Sequence, residues 1–203
     1  MTHRKTTHAR PLIVLVAFIM LCIPLVSHAF SLSAAPTYGI GKVQVRLYTS
    51  YFCGPCRAVE PYIEPLLQDL VRRNIITLTY VDIPSHKIAA EYASAFLCAV
   101  QGKSDVKAAM TARRCLMEAA TSGVRSKDQL ESFLRGKGIL LTRSYDPSPA
   151  FKTYNAYMQQ DRIRSTPTCV ITDPATGSKN VFDTGRKIMD ALKRLNGRDM
   201  ASK

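Results

Sequence analysis

The segment that decides the fold is Tyr51-Phe52-Cys53-Gly54-Pro55-Cys56-Arg57. Before it, apolar and polar residues alternate from Val43 to about Thr49, which predicts a β-strand. After it, an apolar stripe with helical spacing runs to about Arg73 and predicts a helix. Pro61 and Pro65 lie inside that stripe, and we expect a kink at Pro61 rather than a stop. Two cysteines separated by two residues therefore stand where a strand gives way to a helix.

This junction predicts a reactive dithiol. Backbone N–H groups at a helix N-terminus have no partner within the helix, so they stabilise a thiolate at Cys53. The pKa of a free thiol is about 8.5, and sites of this kind lower it to roughly 3.5–7.5. Cys53 would then attack a substrate disulfide, and Cys56 would resolve the mixed disulfide. Pro55 stiffens the first turn at a position that needs no N–H group.

The rest of the pattern predicts an α/β fold. A second strand covers about residues 75–83, and because the first helix forms a right-handed crossover between the two strands, we expect them to be parallel. A helical block follows at 86–137, and its breaks near residues 102, 122–123 and 136–138 indicate three helices. A further helix follows residues 146–149, and we assign its aromatic residues to the core. The chain then forms a hairpin with strands at 168–172 and 180–183, and a last helix closes the domain.

The first 29 residues have the composition of a secretory signal peptide. Arg4, Lys5 and Arg10 precede an apolar run over residues 12–26, and Ser27-His28-Ala29 supplies small residues for cleavage. The alternative is a retained membrane anchor, but the run is shorter than the roughly 20 apolar residues that span a bilayer core. We predict export to the periplasm, a flexible lead-in at 30–42 and one domain at 43–203.

Without the leader, the predicted exported chain is basic and has an odd number of cysteines. The leader carries three of the 28 basic residues and none of the 15 acidic ones. The exported chain therefore has 25 basic and 15 acidic residues and a net charge of +10. These basic residues are scattered, which predicts a solvated basic surface and no nucleic-acid partner. Cys22 is lost with the leader. Five cysteines remain, and an odd number leaves at least one thiol unpaired within the chain.

Other interpretations of the Cys53–Cys56 pair compete with a redox function. A structural zinc site needs two more ligands, and His86 is the only histidine left after cleavage, so we expect no metal and no other cofactor. A purely structural disulfide would be strained over so short a loop. The main alternative is an extracytoplasmic Cu(I)-binding protein of the same fold, because soft thiolates bind Cu(I). A third class is an interaction module that keeps the fold without catalysis.

The residues around the dithiol resemble the thioredoxin superfamily. Residues 51–57, with Pro61 five residues after Cys56, are similar to the active-site strand and helix of thioredoxins. Residues 164–168, Arg-Ser-Thr-Pro-Thr, resemble the segment that carries the superfamily's cis-proline. The helical block, and Glu60 four residues after Cys56, resemble the DsbA-like branch of exported oxidoreductases. The likeness covers most of residues 43–196.

The resemblance implies a thioredoxin fold with a helical insertion, at about residues 86–143, between the second strand and the C-terminal hairpin. It also implies an exported thiol-disulfide oxidoreductase that forms, isomerises or reduces disulfides in other proteins through Cys53 and Cys56. A cis peptide at Pro167 would set the backbone of Thr166 beside the dithiol, where it pairs with an extended substrate. The implied partners are cysteine-containing exported proteins and a membrane or soluble redox partner that recycles the dithiol.

The chain departs from the superfamily pattern in ways that bear on its function. The superfamily usually has a buried carboxylate six residues before the first active-site cysteine, and this chain has Leu47 there. Glu60 either substitutes in part for that carboxylate or is a surface glutamate. Gly54 and Pro55 offer no histidine of the kind that stabilises the thiolate in DsbA. We therefore predict redox tuning by Gly54, Pro55 and Glu60 and a weaker oxidant than DsbA, with the direction of electron flow open.

The remaining cysteines have different expected roles. Cys98 and Cys115 either form a structural disulfide or stay unpaired. A simple hairpin that turns at Gly102 would favour the unpaired state, because it sets the two residues beyond the roughly 7 Å limit for bridged Cα atoms. Cys169 follows Pro167 on a predicted central strand, and we expect a buried, inert thiol. We also expect a monomer, since no separate dimerisation domain precedes the first predicted strand.

Overall fold

The computed structural model describes residues 35–201, with side chains as far as residue 197. The predicted signal peptide lies outside the described residues. Within them the chain forms five strands and six helices, whose bounds are β1 Thr37–Tyr38, β2 Val43–Thr49, α1 Gly54–Arg72, β3 Ile76–Asp82, α2 Lys87–Val100, α3 Val106–Thr121, α4 Lys127–Gly136, α5 Ser148–Asp161, β4 Thr168–Asp173, β5 Ser178–Phe182 and α6 Gly185–Ala201.

The five strands form one mixed sheet in the order β1-β3-β2-β4-β5. β2 and β3 are parallel, as predicted from the crossover helix α1, and Leu47 lies opposite Tyr80. β4 runs antiparallel to β2, so the start of β4 lies beside the end of β2, with Thr168 opposite Tyr48. This arrangement brings the segment before β4 to the edge of the sheet from which α1 departs.

Alternate residues of β2 face two apolar clusters, one on each side of the sheet. Val45 and Leu47 belong to the larger cluster, which also holds buried residues of α1, α3 and α6. Tyr48 belongs to the smaller cluster with Tyr154 of α5. Tyr154 is fully buried, which confirms that the aromatic residues of α5 contribute to the core.

The helical insertion has the three helices that the sequence predicts. α2 ends before Gly102 and α3 ends before Gly123, and both glycines adopt positive φ angles, +70° and +78°. This left-handed conformation suits glycine because it has no Cβ. α1 also continues past Pro61 and Pro65, as predicted.

One additional strand and one strand boundary differ from the predictions. β1 falls within the predicted flexible lead-in, where Tyr38 is buried and pairs with Leu78 of β3. β5 begins at Ser178, two residues earlier than predicted, because Ser178 pairs with Asp173 across the hairpin. None of the helices within residues 35–201 has the length and apolar composition needed to cross a membrane.

Candidate active site

The dithiol lies at the N-terminus of α1. Cys53 is the N-cap of this helix, and the backbone N–H of Cys56 donates to its Sγ at 3.4 Å. The backbone N–H of Cys53 itself donates to the carbonyl of Ser50 at 3.1 Å, which fixes the turn between β2 and α1. Cys53 is partly exposed and Cys56 is fully buried. An incoming disulfide can therefore reach Cys53 first.

The two thiols have opposite pKa shifts. Burial alone would raise the pKa of Cys53, but hydrogen bonds from the side chains of Cys56 and Thr166 and from the backbone of Cys56 outweigh it, with help from the charge of Arg57. The pKa of Cys53 is therefore below that of an ordinary thiol. Burial, together with the hydrogen bond to Cys53, raises the pKa of Cys56 to about 11. The exposed thiol is the better nucleophile, and the buried one stays protonated at neutral pH.

The loop before β4 completes the site. The Thr166-Pro167 peptide bond is cis, as the resemblance implied. The Sγ of Cys53 donates to the carbonyl oxygen of Thr166 at 3.3 Å, so residues 113 positions apart in sequence are in contact. Thr168 anchors the loop by donating its hydroxyl to the carbonyl of Ser165 at 2.8 Å. The structure thus brings Cys53, Cys56, Thr166 and Pro167 together.

Gly54 and Pro55 form the exposed first turn of α1, between the two thiols. A Cβ atom at Gly54 would meet nothing within 4 Å, so space does not require glycine here. Arg57, one turn on, donates from Nη1 to the carbonyl of Tyr51 at 2.9 Å. This bond holds the guanidinium near the helix start, where its charge acts on Cys53.

Glu60 is buried, with 5% of its surface exposed, and is therefore not a surface glutamate. Its Oε1 accepts a hydrogen bond of 2.8 Å from Nε of Arg113, a residue of α3 that is itself fully buried. Nη1 of Arg113 donates to Asp82 at the end of β3, also at 2.8 Å. Two carboxylates thus share one buried guanidinium beneath the dithiol helix.

The rings of Tyr51, Tyr80 and Phe96 surround the guanidinium of Arg113 at 4.3–5.4 Å from their centroids. The hydroxyl of Tyr51 donates to Asp82 at 2.9 Å. Nη2 of Arg113 lies 3.5 Å from the hydroxyl of Thr49, and Thr49 also hydrogen-bonds Cys56. Thr49 therefore connects the buried ion pairs to the resolving cysteine.

Arg113 is the residue of this region that the sequence analysis missed. One signal was available. Arg113 lies four residues after Ala109 and three before Leu116, both fully buried, so it occupies the apolar stripe of α3. An arginine in such a stripe needs buried acidic partners.

The other cysteines do not join the site. All five cysteines of the described residues are free in this structure, including Cys98 and Cys115, for which a disulfide was one of the two alternatives. The thiol of Cys98 lies near the charges of Lys127 and Glu131, whereas the thiol of Cys115 lies near those of Lys137 and Glu118. The two thiols therefore have different surroundings. Cys169 is fully buried on β4, and burial raises its pKa to about 12, as expected for an inert thiol.

A mixed sheet with a Cys-Gly-Pro-Cys helix N-terminus facing a cis-proline loop defines a thioredoxin-fold protein. A family model described as thioredoxin matches residues 40–191, so the chain belongs to this family. The predicted fold, a thioredoxin fold with a helical insertion, is confirmed. No curated protein matches the sequence significantly.

Several solved structures share the fold. A periplasmic thioredoxin-like protein from Salmonella enterica serovar Typhimurium is 16% identical, with a TM-score of 0.61 over 85% of this chain and 93% of that one. The catalytic domain of Proteus mirabilis ScsC is 18% identical, with a TM-score of 0.59 over 82% and 91%. The oxidoreductase DsbA from Xylella fastidiosa is 20% identical, with a TM-score of 0.59 over 79% and 88%. At sequence identities this low, the similarity shows a shared fold only.

Proposed function

We propose that the chain is an exported thiol-disulfide oxidoreductase that exchanges disulfides with other proteins through Cys53 and Cys56. The observation that carries this proposal is the division of roles between the two thiols. Cys53 is partly exposed with a lowered pKa, and Cys56 lies directly behind it, buried and protonated. A structural dithiol needs neither the exposure nor the opposite pKa shifts.

In the reductive direction, the Cys53 thiolate attacks one sulfur of a substrate disulfide. The substrate S–S bond breaks, a mixed disulfide forms and the departing substrate sulfur takes up a proton. Cys56 then loses its proton and attacks Sγ of Cys53, which releases the second substrate thiol and leaves a Cys53–Cys56 disulfide. Two electrons pass from the protein to the substrate, and the reverse sequence oxidises a substrate dithiol.

Thr166 serves two roles in this proposal. Its side chain stabilises the Cys53 thiolate, and its backbone, set beside the thiol, binds an extended substrate segment as a strand would. Pro167 holds that backbone in position. The substrates we propose are cysteine-containing exported proteins in the periplasm, and a second redox protein recycles the enzyme.

We further propose that the protein is a weaker oxidant than DsbA, because the residues between its cysteines provide no cation to stabilise the thiolate. The decisive measurement is the reduction potential of the Cys53–Cys56 pair, obtained by equilibration with glutathione. Strong oxidants of this fold have a potential of about −120 mV and reducing thioredoxins about −270 mV. We expect a value between these two.

The same protein is tested for insulin reduction and for oxidation of a model dithiol. Cys53→Ser should abolish both activities, whereas Cys98→Ser, which changes a thiol outside the site, should retain them. A Cys53→Ser protein with undiminished activity contradicts the proposal. Tight Cu(I) binding with no exchange activity would instead favour the copper-binding alternative.

A further inference from the structure

A basic groove lies beside Phe52, the residue before Cys53, on the side of the helical insertion. It lies between the start of α2 and the connection from α3 to α4, and its volume is about 580 Å³. Three of its seven lining residues, Lys87, Arg125 and Lys127, are cationic, His86 also lines it, and one lining residue, Glu91, is acidic. We call this cavity the basic groove.

Phe52 connects the basic groove to the active site. This residue directly precedes Cys53, and its ring packs edge-on against the ring of His86, with 5.1 Å between centroids. The guanidinium of Arg125 lies over the same ring, 5.1 Å from its centroid. A substrate chain whose sulfur reaches Cys53 and which continues across Phe52 therefore enters the groove.

The three cations of the groove form no ion pair with a carboxylate of the described residues. Arg125 donates from Nη1 to the backbone carbonyls of Ala120, at 3.2 Å, and Val124, at 2.9 Å, rather than to a carboxylate. Lys87 and Lys127 are exposed and form no ion pair with any residue between 35 and 197. An incoming carboxylate would thus meet a positive potential close to the thiol.

From this arrangement we infer that the basic groove selects protein substrates in which acidic residues flank the reacting cysteine. The inference rests on the proposed function and names its substrate class. Complementary charge raises the rate of encounter and makes it dependent on ionic strength. Ile88 adds an apolar side chain to the groove, and the ring of Phe52 contacts two of its lining residues, which favours a peptide segment.

The test uses two peptides of equal length, each closed by one disulfide and carrying the same fluorophore and quencher. One has glutamates next to a cysteine, and the other has glutamines there. At low ionic strength the reduced protein should cleave the glutamate peptide about tenfold faster. The triple variant Lys87→Gln, Arg125→Gln and Lys127→Gln should reduce this ratio to near one.

The control variant combines Lys103→Gln, Lys107→Gln and Lys193→Gln. It loses the same number of charges at exposed positions outside the basic groove: Lys103 at the connection between α2 and α3, Lys107 on α3 and Lys193 on α6. We expect it to keep the preference for the glutamate peptide. Loss of the preference in both variants would indicate an effect of net charge and would overturn the assignment to the groove.

The outcomes separate this inference from the proposed function. If the wild-type protein cleaves neither peptide, the proposed function fails. If it cleaves both at equal rates, the proposed function stands and the groove inference fails. Fluorescence anisotropy with serine in place of the peptide cysteines tests the groove without any turnover. Equal binding of the glutamate peptide to the wild-type, groove-variant and control proteins would also overturn the inference.

Discussion

The Nε atom of Arg113 lies 2.8 Å from Oε1 of Glu60, and both side chains are buried beneath the dithiol helix. Arg113 also contacts Asp82 at 2.8 Å, so one cation pairs with two carboxylates. The usual buried carboxylate of the superfamily is replaced by Leu47, which lies in the apolar core. In this chain, buried charge near the resolving cysteine therefore comes from α1, β3 and the helical insertion.

Replacing Arg113 with methionine should destabilise the protein by about 3–5 kcal/mol, because it leaves Glu60 and Asp82 buried without a cation. Urea denaturation of the purified variant measures the change in unfolding free energy. Arg114→Met is the matched control, since the neighbouring Arg114 is 54% exposed and its pair with Glu64 should contribute roughly 1 kcal/mol or less. Adding Glu60→Gln and Asp82→Asn to Arg113→Met should recover part of the loss. A variant as stable as Arg114→Met would contradict this account.

The two active-site thiols should titrate separately. The pKa of Cys53 lies below that of an ordinary thiol, so its alkylation by iodoacetamide should stay fast below the pKa of a free cysteine and slow only as the pH falls through the lowered value. Cys56, with a pKa near 11, should react only in strongly alkaline solution. The measurement is the alkylation rate against pH, with the modified cysteine identified by mass spectrometry. A single transition for both thiols at the pKa of a free cysteine would exclude a stabilised thiolate.

Removing the hydroxyl of Thr166 should raise the pKa of Cys53. Thr166→Val keeps the branched shape of the side chain but loses the hydrogen bond that stabilises the thiolate. The expected result is a shift of the Cys53 alkylation profile to higher pH and slower reduction of disulfides at neutral pH. Thr121→Val, at the exposed end of α3, should leave the profile unchanged. A Thr166→Val profile identical to that of the wild type would show that the hydroxyl has no such effect.

Gly41 should not tolerate a side chain. A Cβ atom there would lie 2.2 Å from backbone atoms of Ile75 and Ile76, where β2 begins to pair with β3. Gly41→Ala should therefore cost about 1–3 kcal/mol in unfolding free energy, because the neighbouring backbone must shift. Gly136→Ala is the control, since nothing lies within 4 Å of its added Cβ.

Thermal or urea denaturation of both glycine variants provides the comparison. Gly136→Ala should be neutral or stabilising by up to about 1 kcal/mol, because it restricts the unfolded chain. Equal stability of the two variants would mean that the backbone near Ile75 adapts at little cost.

Local patterns were enough to predict most of the fold and the centre of the site. Strand alternation before Cys53, the helical stripe after it and the glycine breaks of the insertion each depend on residues close in sequence. The short strand β1 was not predicted, because two residues carry too little periodicity and the strand exists only through its pairing with β3. The cis peptide before Pro167 came from family resemblance, not from the residues themselves.

The sequence by itself determined the strand-helix junction and hence the dithiol at a helix N-terminus, because hydrophobic periodicity and a two-residue cysteine spacing are local properties. Only the tertiary structure decided that Glu60 is buried, that Arg113 is its partner and that Thr166 contacts Cys53. These pairs are separated by 53 and 113 residues. Such contacts depend on how the sheet and the helices pack. An arginine side chain can be buried only where the fold brings carboxylates to it, and otherwise it stays exposed to solvent.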